Sequence, residues 1–189
     1  MKRIFAAVKI EPDVNFLKSF RELRNGLGYE SIKWVEEHNI HITVKFFGET
    51  DERQIPFISE TLGDLSQNTP ELKFRLSGIG IFGSKYQPRV IWAGIEPPGP
   101  LARLMNASQL EFEKSGYSSD RQNLVPHLTL GRIKYLKNKT LFQTTINKYA
   151  VITSEPLVIN ECILFESILK REGPEYRVLG KFPFVQPTV

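Results

Sequence analysis

Two tetrapeptides constrain this chain more than anything else in it: His41-Ile42-Thr43-Val44 and His127-Leu128-Thr129-Leu130. Each reads histidine, apolar, threonine, apolar. In a strand, residues i and i+2 share a face and lie about 6.6 Å apart, at about 3.3 Å per residue. His and Thr of each motif therefore point into one space, while the apolar pair fixes the strand to a core. The chain has only 3 histidines, so two of them heading the same pattern is a strong signal. The third, His38, lacks this context and reads as a loop residue.

The motifs belong to a longer repeat. Arg3-Ile4-Phe5-Ala6-Ala7 starts 38 residues before His41, and Arg89-Val90-Ile91-Trp92-Ala93 starts 38 residues before His127. Glu11-Pro12 follows the first strand, Glu96-Pro97 follows the second, and a helical pattern comes next in both. The offset is 86 residues for strand and motif alike. The pattern predicts a single domain over 1–189 with duplicated strand-helix-strand units starting near 3 and 89. An approximate twofold axis relating the units would set both histidines across one groove.

Local signals fill in the rest. Lys2 to Ile10 alternates as a strand, and a helix runs from Asp13, its N-cap, to Leu27, with Gly28 as a stop. Ile32 to Trp34 and His41 to Phe47 read as strands, and Asp51 to Leu65 as a helix. Strands follow at Leu72 to Phe82 and Arg89 to Ile95. A helix over Leu101 to Lys114 follows the breaker run Pro97-Pro98-Gly99-Pro100. After a polar loop and motif two, strands at Pro156 to Leu169 and Glu175 to Phe184 form a hairpin around Gly173-Pro174.

Composition narrows the function classes. Cys162 is the only cysteine, so no internal disulfide can form, and it reads as a small buried hydrophobe. No apolar run approaches the roughly 18 residues of a membrane span. The N-terminal segment alternates like a strand and lacks the pattern of a signal peptide, so a cytoplasmic protein with no membrane partner is expected. Net charge is +4, and Arg121 to Ser154 contains no Asp or Glu while holding Arg121, Arg132, Lys134, Lys137, Lys139 and Lys148. That basic stretch surrounds motif two and suits phosphate.

Two opposed imidazoles near neutrality can act as acid and base in one step. Threonine hydroxyls can donate to a developing oxyanion, and Arg can grip phosphate through two parallel hydrogen bonds. A cyclic phosphodiester fits this inventory, with Thr43, Thr129 and Arg132, five residues beyond His127, holding the phosphoryl oxygens. The chain has no HExxH or CxxC pattern and few carboxylates near motif two, so metal-independent chemistry with no cofactor is expected. Neither a GxSxG elbow nor a Walker loop occurs, and a dinucleotide-binding reading is set aside.

These residues resemble the 2H phosphoesterase superfamily, in its RNA 2′,3′-cyclic phosphodiesterase (2′-5′ RNA ligase-like) branch. The resemblance spans nearly the whole chain. It is carried by Arg3-Ile4-Phe5-Ala6-Ala7, Asn39-Ile40-His41-Ile42-Thr43-Val44-Lys45-Phe46-Phe47-Gly48 and Pro88-Arg89-Val90-Ile91-Trp92. It continues through Val125-Pro126-His127-Leu128-Thr129-Leu130-Gly131-Arg132, and through Phe165-Glu166-Ser167 followed by Tyr176-Arg177-Val178-Leu179. It implies an α+β, bilobal fold: two pseudo-twofold-related lobes with antiparallel sheets around a central groove and helices outside. It further implies hydrolysis of a terminal 2′,3′-cyclic phosphate on an RNA or oligonucleotide to a 2′-phosphomonoester; separately, a monomer is expected. His41 would be the proton donor, His127 the proton acceptor and Arg132 the phosphate contact. Phe5 would stack on a base, whereas Trp92 reads as core packing. Reverse 2′-5′ joining would be a side activity. Leu124 stands where many relatives carry an aromatic residue, which bears on base preference. Two other readings remain at this point: an RNA-binding module without turnover, and an enzyme for a small cyclic nucleotide.

Overall fold

Alternation in the first ten residues produces strand β1 (Lys2–Lys9), and the helical pattern after Asp13 produces α1 (Val14–Gly26). In the computed structural model, which describes residues 1–84, 86–118, 125–171 and 173–186, Asp13 caps that helix. Its carboxylate accepts from the backbone N–H groups of Asn15 and Phe16, and also from Glu155. The chain continues through β2 (Ser31–Trp34), β3 (His41–Thr50), α2 (Ile55–Gln67), β4 (Leu72–Ser84) and β5 (Gln87–Glu96). It ends with α3 (Gly99–Lys114), β6 (Leu128–Tyr135), α4 (Lys139–Lys148), β7 (Leu157–Ile159), β8 (Glu161–Leu169) and β9 (Pro174–Pro183).

The strands form two sheets in the orders β3-β1-β8-β9 and β2-β6-β5-β4-β7, antiparallel throughout. The α+β expectation with two antiparallel sheets holds. One face of each sheet joins the apolar stripes of the helices in a continuous core. Ile4, Val8 and Ile42 enter it from the first sheet, and Leu76, Ile91 and Leu128 from the second. Phe16, Phe20, Ile58, Leu101, Phe112 and Phe142 enter it from the helices. The opposite face of the first sheet carries a second, smaller cluster of Phe5, Ala7, Ile163 and Phe165, flanked by Phe46 and Tyr176. That face is where His41 of motif one lies, against Phe5.

Two elements depart from the sequence reading. The expected strand from Pro156 to Leu169 is two strands in two different sheets. β7 pairs with β4, whereas β8 pairs with β1 and β9. Pairing switches at Asn160, whose carbonyl accepts from Phe184 N–H at 2.7 Å. Both halves are apolar, so the run reads as one buried strand whichever sheet it joins. The second helix starts at Ile55, not Asp51; Asp51 caps a 3₁₀ turn over 52–54. Pro56 explains the difference, because proline fits only in the first turn of a helix.

Gly78-Ile79-Gly80-Ile81-Phe82-Gly83 spells the letters of the dinucleotide fingerprint G-x-G-x-x-G. It lies wholly within β4, which turns directly into β5. No helix N-terminus follows to receive a pyrophosphate, so the letters carry no such function. Among the described residues, no helix is long and apolar enough to cross a membrane.

Candidate active site

Each motif ends in a β-bulge. Along β1 and β3, Ala7 pairs with Thr43 and Ala6 with Lys45, which leaves Val44 without a partner. Along β5 and β6, Trp92 pairs with Thr129 and Ile91 with Gly131, which leaves Leu130 without one. The two unpaired residues sit 86 positions apart, as the motifs do. A bulge inserts one residue and re-aims those that follow. Val44 and Lys45 are consequently both buried, and the open face resumes at Phe46. In β6, Leu130 and Gly131 are both buried and the exposed position is Arg132. The residue five places after each histidine therefore rejoins the face of His and Thr. In an unbroken strand it would point the other way.

Gly131 is needed at its position. A Cβ there would sit 2.9 Å from Ile32 Cγ2 and 3.0 Å from the Trp34 ring, because β2 packs over it.

Both imidazoles are braced alike. His41 Nδ1 lies 2.7 Å from the Asn39 carbonyl, and His127 Nδ1 lies 2.7 Å from the Val125 carbonyl. A carbonyl only accepts, so each Nδ1 carries the hydrogen and each Nε2 is left to exchange a proton. Aromatic rings fix the remaining freedom. His41 lies against Phe5 at 5.0 Å between centroids and meets the edge of Tyr176 at 5.2 Å. His127 meets Phe82 edge-on at 4.7 Å, and Phe82 stacks on Trp92 at 5.1 Å.

Burial pushes the pKa of both histidines below the ordinary 6.5. The carbonyl braces oppose that shift, and the positive charge of Arg132 adds to it in both cases. Arg132 also lowers the pKa of Tyr176, although burial there dominates and raises it. One guanidinium thus acts on His41 from the first sheet, on His127 from the second and on Tyr176. The motif histidines share one electrostatic space. Thr43 and Thr129 lie half-buried on the same strand faces.

Phe5 is not an open platform. It is only 4% exposed, with its ring packed among His41, Phe165 and Tyr176. It backs the histidine, and the expected base-stacking role does not fit this burial. Trp92 is half-buried, lying over Gly80, where a Cβ would come within 2.4 Å of the ring. Cys162 is fully buried and its thiol is pushed up to about 12 by burial, which fits an inert core residue. The acid-free stretch is not one patch. Arg132 faces the histidines, whereas Lys139 and Lys148 sit on α4, on the helix-covered side of the second sheet. Arg121 and Leu124 lie outside the described residues. Among the described residues, no group of three or more His, Cys, Asp or Glu is placed to hold a metal ion.

Phe46, Phe82, Tyr176 and Lys45 were not singled out individually from sequence. Phe46 had a signal, since it stands 86 residues before Arg132. Lys45 had none. It is 3% exposed, and its Nζ donates to Gln109 Oε1 on α3 and to the Ser118 carbonyl. It ties the motif-one strand to the start of the segment leading to motif two.

Comparison with known proteins gives the family. The LigT-like phosphoesterase family profile matches residues 9–92. The RNA 2′,3′-cyclic phosphodiesterase of Thermotoga maritima is 31% identical over 185 residues, covering 96% of this chain and 95% of its own. The chain belongs to the LigT-like phosphoesterase family. The enzyme of the same name from Archaeoglobus fulgidus is 32% identical, over 95% of this chain and 99% of its own. Among solved structures, a protein of Thermus thermophilus superposes with a TM-score of 0.77 at 25% identity, over 98% of this chain and all of the other. Escherichia coli LigT complexed with 3′-AMP superposes with a TM-score of 0.74 over 98% of this chain and 99% of its own. At 21% identity, that likeness speaks for the fold. Family membership makes this protein a hydrolase of phosphoesters, as the motif resemblance anticipated.

Proposed function

We propose that this protein hydrolyses the terminal 2′,3′-cyclic phosphate of RNA to a 2′-phosphomonoester, by acid/base catalysis with its two motif histidines and without a metal ion. The observation that carries the mechanism is the matched pair of Nδ1 braces, which leaves two Nε2 atoms under the field of one arginine. Water attacks phosphorus as His127 Nε2 takes its proton. The P–O3′ bond breaks as His41 Nε2 gives a proton to O3′. Thr43, Thr129 and Arg132 hold the phosphoryl oxygens, whose charge is stabilised through the transition state.

The depressed pKa values suit His127 as a base but leave His41 short of a proton in the free enzyme. The substrate supplies the remedy. A phosphodiester anion beside an imidazole favours its protonated form, so binding restores the acid as it fills the site. Phe5 and Tyr176 hold the His41 ring in position. The same reading takes 1–189 as one domain of two related units acting as a monomer in the cytoplasm. In 2′-5′ joining a 5′-hydroxyl takes the place of water: its oxygen bonds to phosphorus as His127 takes its proton, and P–O3′ breaks as His41 protonates O3′. Abundant water favours hydrolysis unless the RNA ends are held at high effective molarity.

The test is an oligonucleotide with a 2′,3′-cyclic phosphate end, incubated with excess chelator. The expected product is the 2′-phosphomonoester. His41→Ala and His127→Ala should each lower the rate by about 10²–10⁴. Activity abolished by the chelator would overturn the metal-free step, and full activity in either variant would overturn that residue's role.

A further inference from the structure

The pseudo-symmetric counterparts Phe46 and Arg132 differ in charge, and the structure places another cation on the first sheet's side. Arg3 lies on the face of β1 that carries Phe5 and Ala7. Its guanidinium sits over the Phe46 ring, 4.6 Å from the centroid. Among the described residues Arg3 forms no ion pair within 4.0 Å, although Glu49 is its cross-strand partner. Its neighbours Lys2 and Glu166 pair with each other on the helix side of the sheet, at 3.1 Å.

Tyr176 packs, with Phe46, against the small aromatic cluster beside His41. Its ring meets His41 and Phe5 edge-on. Burial raises its pKa, and the charges of Arg132 and Arg3 each lower it. The hydroxyl remains protonated at neutral pH and can donate. Arg132 acts on both histidines and on Tyr176, and Arg3 acts on Tyr176. Tyr176 thus touches His41 and feels the charge of both arginines.

We propose that Arg3 and Tyr176 form a second phosphate subsite, which binds the internucleotide phosphate immediately 5′ of the cyclic end. This rests on the phosphodiesterase reading above. A 2′,3′-cyclic phosphate uses both hydroxyls of the last ribose, so the RNA chain leaves the centre only in the 5′ direction. The next anion along it meets a cation preset by Phe46, with a neutral donor beside it. The preferred substrate is accordingly an oligonucleotide, and a mononucleotide cyclic phosphate lacks the group that Arg3 recognises.

The test compares kcat/KM for three substrates: a nucleoside 2′,3′-cyclic phosphate, a dinucleotide ending in the same group, and that dinucleotide with a neutral methylphosphonate linkage. The wild-type protein should prefer the dinucleotide to the mononucleotide by about tenfold, and the methylphosphonate should remove that preference. Arg3→Met should remove it as well and be indifferent to the methylphosphonate, with Arg3→Lys restoring part of it. Tyr176→Phe should reduce it in part. Each comparison is a ratio within one preparation, so loss of folded protein cancels. Equal losses on mononucleotide and dinucleotide in Arg3→Met, or a wild-type enzyme blind to the methylphosphonate, would overturn the subsite. Turnover of the mononucleotide with no preference at all would overturn it too, while leaving the phosphodiesterase reading in place. No turnover of any of the three would overturn both.

Discussion

Arg132 has two opposed effects on the imidazoles it faces. In the proposed mechanism it holds the phosphate, yet it drives protons off His41 and His127 before phosphate arrives. The pH dependence of kcat/KM, which reports the free enzyme, should therefore be bell-shaped, with its limbs displaced to the acid side of 6.5. Replacing Arg132 with methionine removes a cation, makes protonation easier and raises both pKa values. Both limbs should move to higher pH as activity falls. A profile that loses height without moving would show that Arg132 holds phosphate without tuning the histidines. At this scale spacing and resemblance name His41, Thr43, His127, Thr129 and Arg132, and both histidines lie under the charge of that one arginine. Phe5 was named for the wrong environment. Its neighbours Phe165 and Tyr176 come from strands far along the chain, and no local pattern records that burial.

At the scale of elements, the bulges decide which residues meet. A Cβ on Gly131 would press on Ile32 and Trp34 beside the second bulge. Gly131→Ala should cost about 1–3 kcal/mol, as overpacking does, and lower activity further by moving Arg132. Denaturant unfolding together with kcat/KM separates the two effects; an unchanged midpoint would show that β2 yields freely. Asp13 holds together the start of α1 and Glu155, which lies far along the chain. Asp13→Ala should cost about 1–2 kcal/mol, read from the same unfolding curves, and a loss no larger than that of an exposed surface alanine substitution would refute its capping role. Strand and helix positions were legible because alternation and capping are local signals. The bulges were not, since Val44-Lys45-Phe46-Phe47 breaks the alternation without saying where. The break at Asn160 was hidden for a related reason: an apolar run declares burial and not its partner.

For the whole molecule, the half-buried histidines set a limit on acid stability. Their folded pKa values lie below 6.5, so the unfolded chain takes up more protons as pH falls through that region. The stability they permit is present above 6.5 and is lost progressively as pH drops towards the folded values. Melting temperature should fall between about pH 7.5 and about pH 5.5. Inorganic phosphate should offset part of that fall, because an anion that binds only the folded site stabilises it. A melting temperature flat across this range would mean that the imidazoles are better solvated than their packing indicates.

The order of strands in the first sheet has a consequence for synthesis. β1 is made first, yet one of its two neighbours in the sheet is β8, and β9 lies beyond that. On the ribosome the opening strand must wait for about 160 further residues before its second edge is covered. Tyr176, which steadies His41, emerges later still. A nascent chain stalled after motif two would carry both histidines and Arg132 while its first sheet ended in an open edge. Such a product is exposed to aggregation, and it lacks the Tyr176 ring that packs against His41.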